Sequence, residues 1–446
     1  MEPLPLATSV EDTGAYRDLQ QRLDRMPTGA PDTPAFRAIL RLLFSPQEAE
    51  LAARLPSLVA VERLAADLGR DPVELDTALT DMAGRGLVLD LEHRGQRWVA
   101  LAPVVIGFFE FTFMRTRDDA PMEELAGLFD EYLFEDRGDR FARSVFEGSI
   151  QVGRAMVREE ALPRQPPTEV LDWERATSVV AGARTVAVSN CPCRTHARLL
   201  DRACDAPVRT CLSLNGAAEA LIRAELADPV SNAEGLEILV AAKDAGLAQT
   251  ADNVKEQVGY LCNCCGCCCG MYRAIRDAEL HEAIVASNWV AALDPALCRG
   301  CRDGCVSACP AAAIERVDSR GQGRRAMWAV LDEDRCRGCG VCIDRCRFGA
   351  LELVPRVRRP YTPDTTLDRM IAMAVERGKL GDLLLDTLDG AGPVAVARLL
   401  QHLERSSLGT AIRAVEPLRS VFLRSLLAVV HRGARTAGLD THSSVP

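Results

Sequence analysis

Lysine is nearly missing from this 446-residue sequence: Lys243, Lys255 and Lys379 stand against 50 arginines among 53 basic residues. That bias reads as the mark of a GC-rich genome, and no functional weight rests on it. Cysteine is absent from the first 190 positions and again after Cys346. Long apolar runs are missing too. The most apolar early stretch, Ala102 to Met114, contains Glu110 and falls short of the ~20 residues that a membrane span needs. The segment Met1 to Gly14 carries Glu2, Glu11 and Asp12 and has no basic region followed by an apolar core, so no signal peptide is expected. The expectation is a soluble, cytoplasmic chain without a membrane span. No Walker loop and no convincing G-x-G-x-x-G is present, which leaves no nucleotide or flavin fingerprint. A formal charge of −10 argues against a surface built for nucleic acid.

What is there is an ordinary globular composition, 48% hydrophobic and 26% charged, able to bury a sizeable core. Its length suits about three domains. Eighteen cysteines fall into three groups: four between 191 and 211, six between 262 and 269, and eight between 298 and 346. Without a secretion signal they read as metal ligands or redox groups rather than disulfides.

The expected fold class is a multidomain α+β protein. Residues 15–101 read as short helices followed by a strand–turn–strand around His93 to Gln96, the outline of a winged-helix domain. Asp71 is placed as N-cap and Pro72 in the first turn of the helix in the recognition position. That helix carries Asp71, Glu74, Asp76 and Asp81 against Arg85, and four carboxylates would be repelled by phosphates, so DNA is not the expected partner. Residues 102–168 read as a linker region with helices at Val104 to Arg115 and Pro121 to Phe134, closed by the Pro-rich run around Leu162 to Thr168. Residues 169–290 form a mixed α/β, Cys-rich domain. Its helices are expected at Glu169 to Ala181, Gly216 to Leu226 and Asn232 to Ala245, with a strand at Thr185 to Ser189. A cysteine-free, helical C-terminal extension follows over 360–438. Within it, Leu418 to Val430 is a basic amphipathic helix suited to docking on its own chain or a partner, or less simply to a membrane surface.

Between 294 and 356 the sequence runs Cys298-Arg-Gly-Cys301-Arg-Asp-Gly-Cys305-Val-Ser-Ala-Cys309-Pro310, then Cys336-Arg-Gly-Cys339-Gly-Val-Cys342-Ile-Asp-Arg-Cys346. The second run has the C-x2-C-x2-C-x3-C spacing of a cubane loop, in which three thiolates reach three irons and the fourth serves the other cluster. A pair of zinc sites is the competing reading. Over about 60 residues the segment resembles the bacterial two-cluster ferredoxin. That resemblance implies two [4Fe–4S] clusters, one held by Cys298, Cys301, Cys305 and Cys346 and the other by Cys336, Cys339, Cys342 and Cys309. Two departures stand out: three residues rather than two separate Cys301 from Cys305, and Arg347 replaces the proline after the last cysteine. From Cys298 to Pro360 there are 13 arginines and 8 acidic residues. Their positive charge would raise cluster potentials and steer acidic partners such as a flavodoxin, a small ferredoxin or an oxidoreductase subunit.

The ten middle cysteines are Cys191, Cys193, Cys204, Cys211, Cys262, Cys264, Cys265, Cys267, Cys268 and Cys269. Six thiols in eight positions have no packing rationale, and crowded soft ligands select an iron–sulfur cluster, zinc or copper(I). A third [4Fe–4S] cluster, a thiolate zinc site and redox-active dithiols all remain open. His196 reads as a hydrogen-bonding residue before it reads as a ligand. Arg194 reads either as neutralising a cluster or as capping a helix. The segments Leu23 to Pro27 and Leu42 to Leu51, the Cys191 to Arg194 and Cys264 to Cys269 runs, and the terminal ferredoxin motif together resemble a family of multidomain 4Fe–4S binding proteins. That resemblance covers residues 15 to 355 and implies iron–sulfur electron transfer, with the tail an addition. A redox- or iron-sensing winged-helix regulator, and an iron–sulfur enzyme acting at the middle site, are the alternatives.

Overall fold

The computed structural model describes residues 14–406, save 94, 116–119, 136–139, 165–168, 302, 319–326 and 388–390. The helix expected at Leu418 to Val430 lies outside the described residues.

The N-terminal helices begin where the sequence supplies caps. Thr33 accepts the Phe36 N–H at 3.1 Å and Pro34 opens Pro34–Leu43, which buries Phe36, Ile39, Leu40 and Leu43 at helical spacing. Ser45 and Glu48 form a reciprocal capping box ahead of Pro46–Ala53. Asp71 accepts from Val73 and Glu74 at the start of Pro72–Gly84. Strands Val88–His93 and Gln96–Leu101 form a hairpin, and Val59–Ala60 adds to the Gln96–Leu101 side. The helix expected over Val104 to Arg115 is shorter than the pattern implied. Val105, Ile106 and Gly107 have non-helical backbone, and helix proper covers Phe109–Phe113. There the Glu110 carboxylate accepts the Gly107 N–H at 2.8 Å, a local bond that holds the turn open.

The middle region is built on a six-stranded antiparallel sheet. Its order is Gly153–Ala155, Ala248–Asp252, Tyr260–Cys264, Arg209–Leu214, Val186–Asn190, Asp228–Val230. The first strand lies upstream of the Pro-rich run, so residues before 162 already belong to this sheet. Period-two alternation sorts its side chains. Leu212, Leu214 and Leu261 face a core shared with Val180 and Leu239 of helices Ala176–Ala181 and Asn232–Asp244, while Cys211, Cys262 and Cys264 join the opposite, larger core. The helix expected over Glu169 to Ala181 survives as its second half, preceded by a tight turn at Asp172–Glu174.

Two small antiparallel ladders carry the cysteine loops of the C-terminal module: Trp289–Leu293 with Leu351–Pro355, and Ile314–Asp318 with Met327–Leu331. Arg158 fastens this module to the middle sheet. Its N–H donates to the Cys339 carbonyl at 3.1 Å, and its guanidinium donates to the Lys243 and Leu247 carbonyls, 2.9 Å each, and pairs with Asp344. Helix Thr366–Arg377 then crosses back, with Arg377 donating to the Pro27 and Val145 carbonyls and Glu376 accepting from Ser149 and Ile150. Mixed helix and sheet, several units, and one large core with three smaller clusters beside it describe the chain.

Candidate metal centres

The two runs of the C-terminal module fold into two cysteine-lined cavities. One is lined by Cys309, Cys336, Cys339 and Cys342 together with Ala291 and Leu353. The other is lined by Cys298, Cys301, Cys305 and Cys346 together with Val306 and Phe348. Each cavity therefore takes three thiols from one run and its fourth from the other. The two fourth ligands are related by pseudo-symmetry: Ala313 N–H donates to Cys309 Sγ at 3.2 Å and Ala350 N–H to Cys346 Sγ at 3.3 Å, each from four residues on. Ala329 N–H donates to Cys298 Sγ at 3.4 Å. Such donors favour a negatively charged sulfur. Burial pushes the Cys339 thiol up to about 12 and the Cys305 thiol up to about 11, so metal uptake there must expel protons.

Within the three-residue stretch between Cys301 and Cys305, Gly304 has a φ of 154° that other residue types rarely adopt. The thiols on either side of it still line one cavity. Gly338 has φ 68°, and a Cβ there would overlap the Trp289 carbonyl, so the backbone wraps the cavity without side chain. The arginines of the loops differ in their tasks. Arg337 is buried and donates to the Ile284 and Arg335 carbonyls at 2.8 and 3.0 Å. Exposed Arg299 lines the Cys298–Cys346 cavity and exposed Arg347 lies over the Phe348 ring, beside exposed Leu297, while the Arg345 guanidinium lies against Gly246.

The ten middle cysteines separate into two sets. Cys204, Cys265, Cys267 and Cys268 have sulfurs all within 4.8 Å of one another. Cys267 and Cys268 stand 3.7 Å apart, and Cys268 and Cys204 3.8 Å. The residues present suit a metal: four soft donors converge on one point. The other six form a closed group: Cys191 adjoins Cys193, Cys193 Cys269, Cys269 Cys264, Cys264 Cys262 and Cys262 Cys211, while Cys191 also bears on Cys211 and on Cys264. Cys191 stands at the N-cap position of helix Pro192–Leu199 and Cys269 at that of Gly270–Asp277, neither bonding the helix end through its side chain.

Arg194 is buried between the sets, donating to the Asn263 carbonyl at 3.0 Å and to Thr210 Oγ1 at 2.5 Å, with Cys265 Sγ at 3.8 Å. The neighbouring thiols Cys191, Cys265 and Cys264 hold its guanidinium firmly charged against desolvation. His196 is buried between Phe109 and Phe113, its Nε2 bonded to the Ala126 carbonyl at 2.9 Å. It is a structural residue, and burial pulls its imidazole down to about 4.

Three neighbours of the thiols were not singled out from sequence. Glu110, inside an apolar run, has its carboxyl pushed up to about 8 by burial and bears on Cys211; the lone charge in that run was its visible signal. Tyr260 and Tyr272 gave none, since a tyrosine in a strand or helix is ordinary core. Tyr272 is placed beside Cys264, Cys269 and Cys339, between the middle thiols and the C-terminal module. Gly266 closes the same gap: a Cβ on it would lie 2.8 Å from the Pro310 carbonyl oxygen, next to Cys309.

Among known proteins, residues 297–350 match the 4Fe–4S dicluster domain family. Two uncharacterized ferredoxins of Methanocaldococcus jannaschii are similar to parts of the chain. One is 32% identical over 99 residues, which is 21% of this chain and 60% of the relative. The other is 38% identical over 58 residues, 13% of this chain and 30% of the relative. The chain thus covers less than two thirds of either. No solved structure matches it. No helix among the described residues is long and apolar enough to cross a membrane. Residues 297–350 are a ferredoxin-type 4Fe–4S dicluster domain carried within a larger protein.

Proposed function

We propose that this protein is an iron–sulfur electron carrier whose ferredoxin module serves a thiolate-rich middle domain. Cys298, Cys301, Cys305 and Cys346 would hold one [4Fe–4S] cluster, and Cys336, Cys339, Cys342 and Cys309 the other. Such clusters supply reversible one-electron storage at potentials that their protein surroundings tune. The observation that carries the reading is the close seat of the Cys265–Cys268 loop on Cys309-Pro310, with Gly266 leaving no side chain between them. Along this path the order is the Cys298–Cys346 site, the Cys309–Cys342 site, then the Cys265–Cys268 loop.

The compact middle set fits one tetrathiolate ion better than a third cubane. A metal–sulfur bond of ~2.3 Å in a tetrahedron places the sulfurs about 3.8 Å apart, and the contacts here are 3.7 and 3.8 Å. A cubane's ligand sulfurs, each on its own iron, stand further apart. Zinc is the ion that this donor set suits. The N-terminal helices and hairpin carry the outline of a winged helix, and in this reading they serve packing and protein contact.

Exposed Arg299 and Arg347 around Leu297 and Phe348 would make the docking face, with an acidic redox protein as the fitting partner. Rapid-mixing reduction of the loaded protein by a reduced flavodoxin tests this. The rate should fall steeply with salt, and R299E/R347E should slow it about 10-fold at low salt. A rate indifferent to both salt and charge reversal would remove the docking face from the account.

A further inference from the structure

With four of the middle thiols placed, six remain. Cys191 and Cys193 sit at a helix start, Cys211 and the Cys262/Cys264 pair on neighbouring strands, and Cys269 at a second helix start. The register sets Leu212 opposite Leu261, so Cys211 and Cys262 are adjacent across the ladder. Four separate segments thus bring their thiols to one place. We infer that Cys191, Cys193, Cys211, Cys262, Cys264 and Cys269 form a second centre in the middle domain, distinct from the four-thiol site and built for a polynuclear iron–sulfur cluster.

The spacing excludes a single ion. Among the described residues, the ligand atoms that lie within 4.8 Å of one another in a set of three or more are those of Cys204, Cys265, Cys267 and Cys268. The six close on one another over a wider spacing instead, Cys191 bearing on Cys211 and both Cys191 and Cys193 on Cys264, an arrangement in which different thiolates can reach different irons. Charge points the same way. Arg194 is 1% exposed, and no carboxylate pairs with it among the described residues. Its Nε finds no hydrogen-bond partner, and its electrostatic partners are Cys191, Cys265 and Cys264. A buried cation needs a counter-charge, and deprotonated, metal-bound thiolates supply it.

Two hydroxyls add a third argument. Thr250 pairs in register with Cys262, and Tyr272 adjoins Cys264 and Cys269. Both residues are fully buried, and their hydroxyls adjoin each other without a well-formed hydrogen bond among the described residues. Sulfide or thiolate acceptors would satisfy them. Six neutral thiols packed as apolar core would leave Arg194 with Cys265 of the four-thiol site as its one counter-charge. The inference goes beyond the four-thiol zinc reading and stands or falls apart from it.

The test is iron, sulfide and zinc content of the full chain after anaerobic reconstitution, for the wild type, C193S/C262S and C265S/C267S. The wild type should hold more than eight irons and eight sulfides, rising to about twelve of each, with about one zinc. C193S/C262S should return to about eight irons and keep the zinc, its module signals in electron paramagnetic resonance certifying the fold. C265S/C267S should lose the zinc and keep the extra iron. Eight irons in the wild type would overturn the six-thiol centre while leaving the module and the zinc site standing. Loss of the extra iron in C265S/C267S, with its retention in C193S/C262S, would overturn it too, because the cluster would then belong to the four-thiol set.

Discussion

At the residue scale, His196 shows how a plausible ligand is absorbed by packing. Three positions after Cys193, it could have been read as a metal ligand, yet its ring lies between two phenylalanines with Nε2 on a backbone carbonyl. Burial lowers its folded pKa to about 4 from an ordinary value near 6.5. The unfolded chain therefore binds more protons between those values, and the His196 contribution to stability is present above pH 6.5 and lost as pH falls toward 4. The full effect is on the order of 3 kcal/mol. Urea unfolding midpoints of the wild type should drop between pH 6.5 and 5, and H196Q should flatten that slope. An unchanged slope in H196Q would contradict the assignment. Arg194 was legible as a cation beside cysteines. Its burial between two thiol sets was not, because that depends on Thr210 and Asn263, far away in sequence.

At the element scale, the glycines of the ligand loops carry the geometry. Gly338 is required by both a positive φ and the Trp289 carbonyl above it. G338A should cost the Cys309–Cys342 cluster, about four irons per chain, with the Cys298–Cys346 signal retained. Iron analysis of the reconstituted variant checks this, and a full complement of iron would refute the requirement. Elements announced by strong local signals were legible: the short N-terminal helices, among them Pro72–Gly84 with its Asp71 cap, and the strand–turn–strand around His93 to Gln96. The acidic face read on Pro72–Gly84 is tied down within its own unit, Asp81 pairing with Arg85 and Asp76 with Arg97. The Val104 to Arg115 run misled because apolar residues without a period give no way to tell helix from extended chain. A carboxylate bonding its neighbour's N–H then settled the local form.

At the scale of the whole molecule, the ligand loops could be read because an iron–sulfur site is written in short-range spacing. The middle thiols could not be divided from sequence, because their grouping is a property of strand register. Cys211 meets Cys262 across a ladder, and Cys204 joins Cys265, Cys267 and Cys268 from a loop some sixty residues away. The same long-range folding places Arg158, Tyr272 and Gly266 where the middle sheet meets the ferredoxin module. That junction gives the chain its character: two cysteine-lined cavities in the ferredoxin module, and the middle thiols against the second of them.

The most direct test of this account is electron paramagnetic resonance of the anaerobically reconstituted, dithionite-reduced protein, with spins integrated against iron. The account predicts at least about two spins per chain from reduced [4Fe–4S] clusters, with lines split by interaction between neighbours. C342S should remove one component and the splitting together. An absence of iron–sulfur signals, or fewer than about four irons per chain, would contradict it at the root.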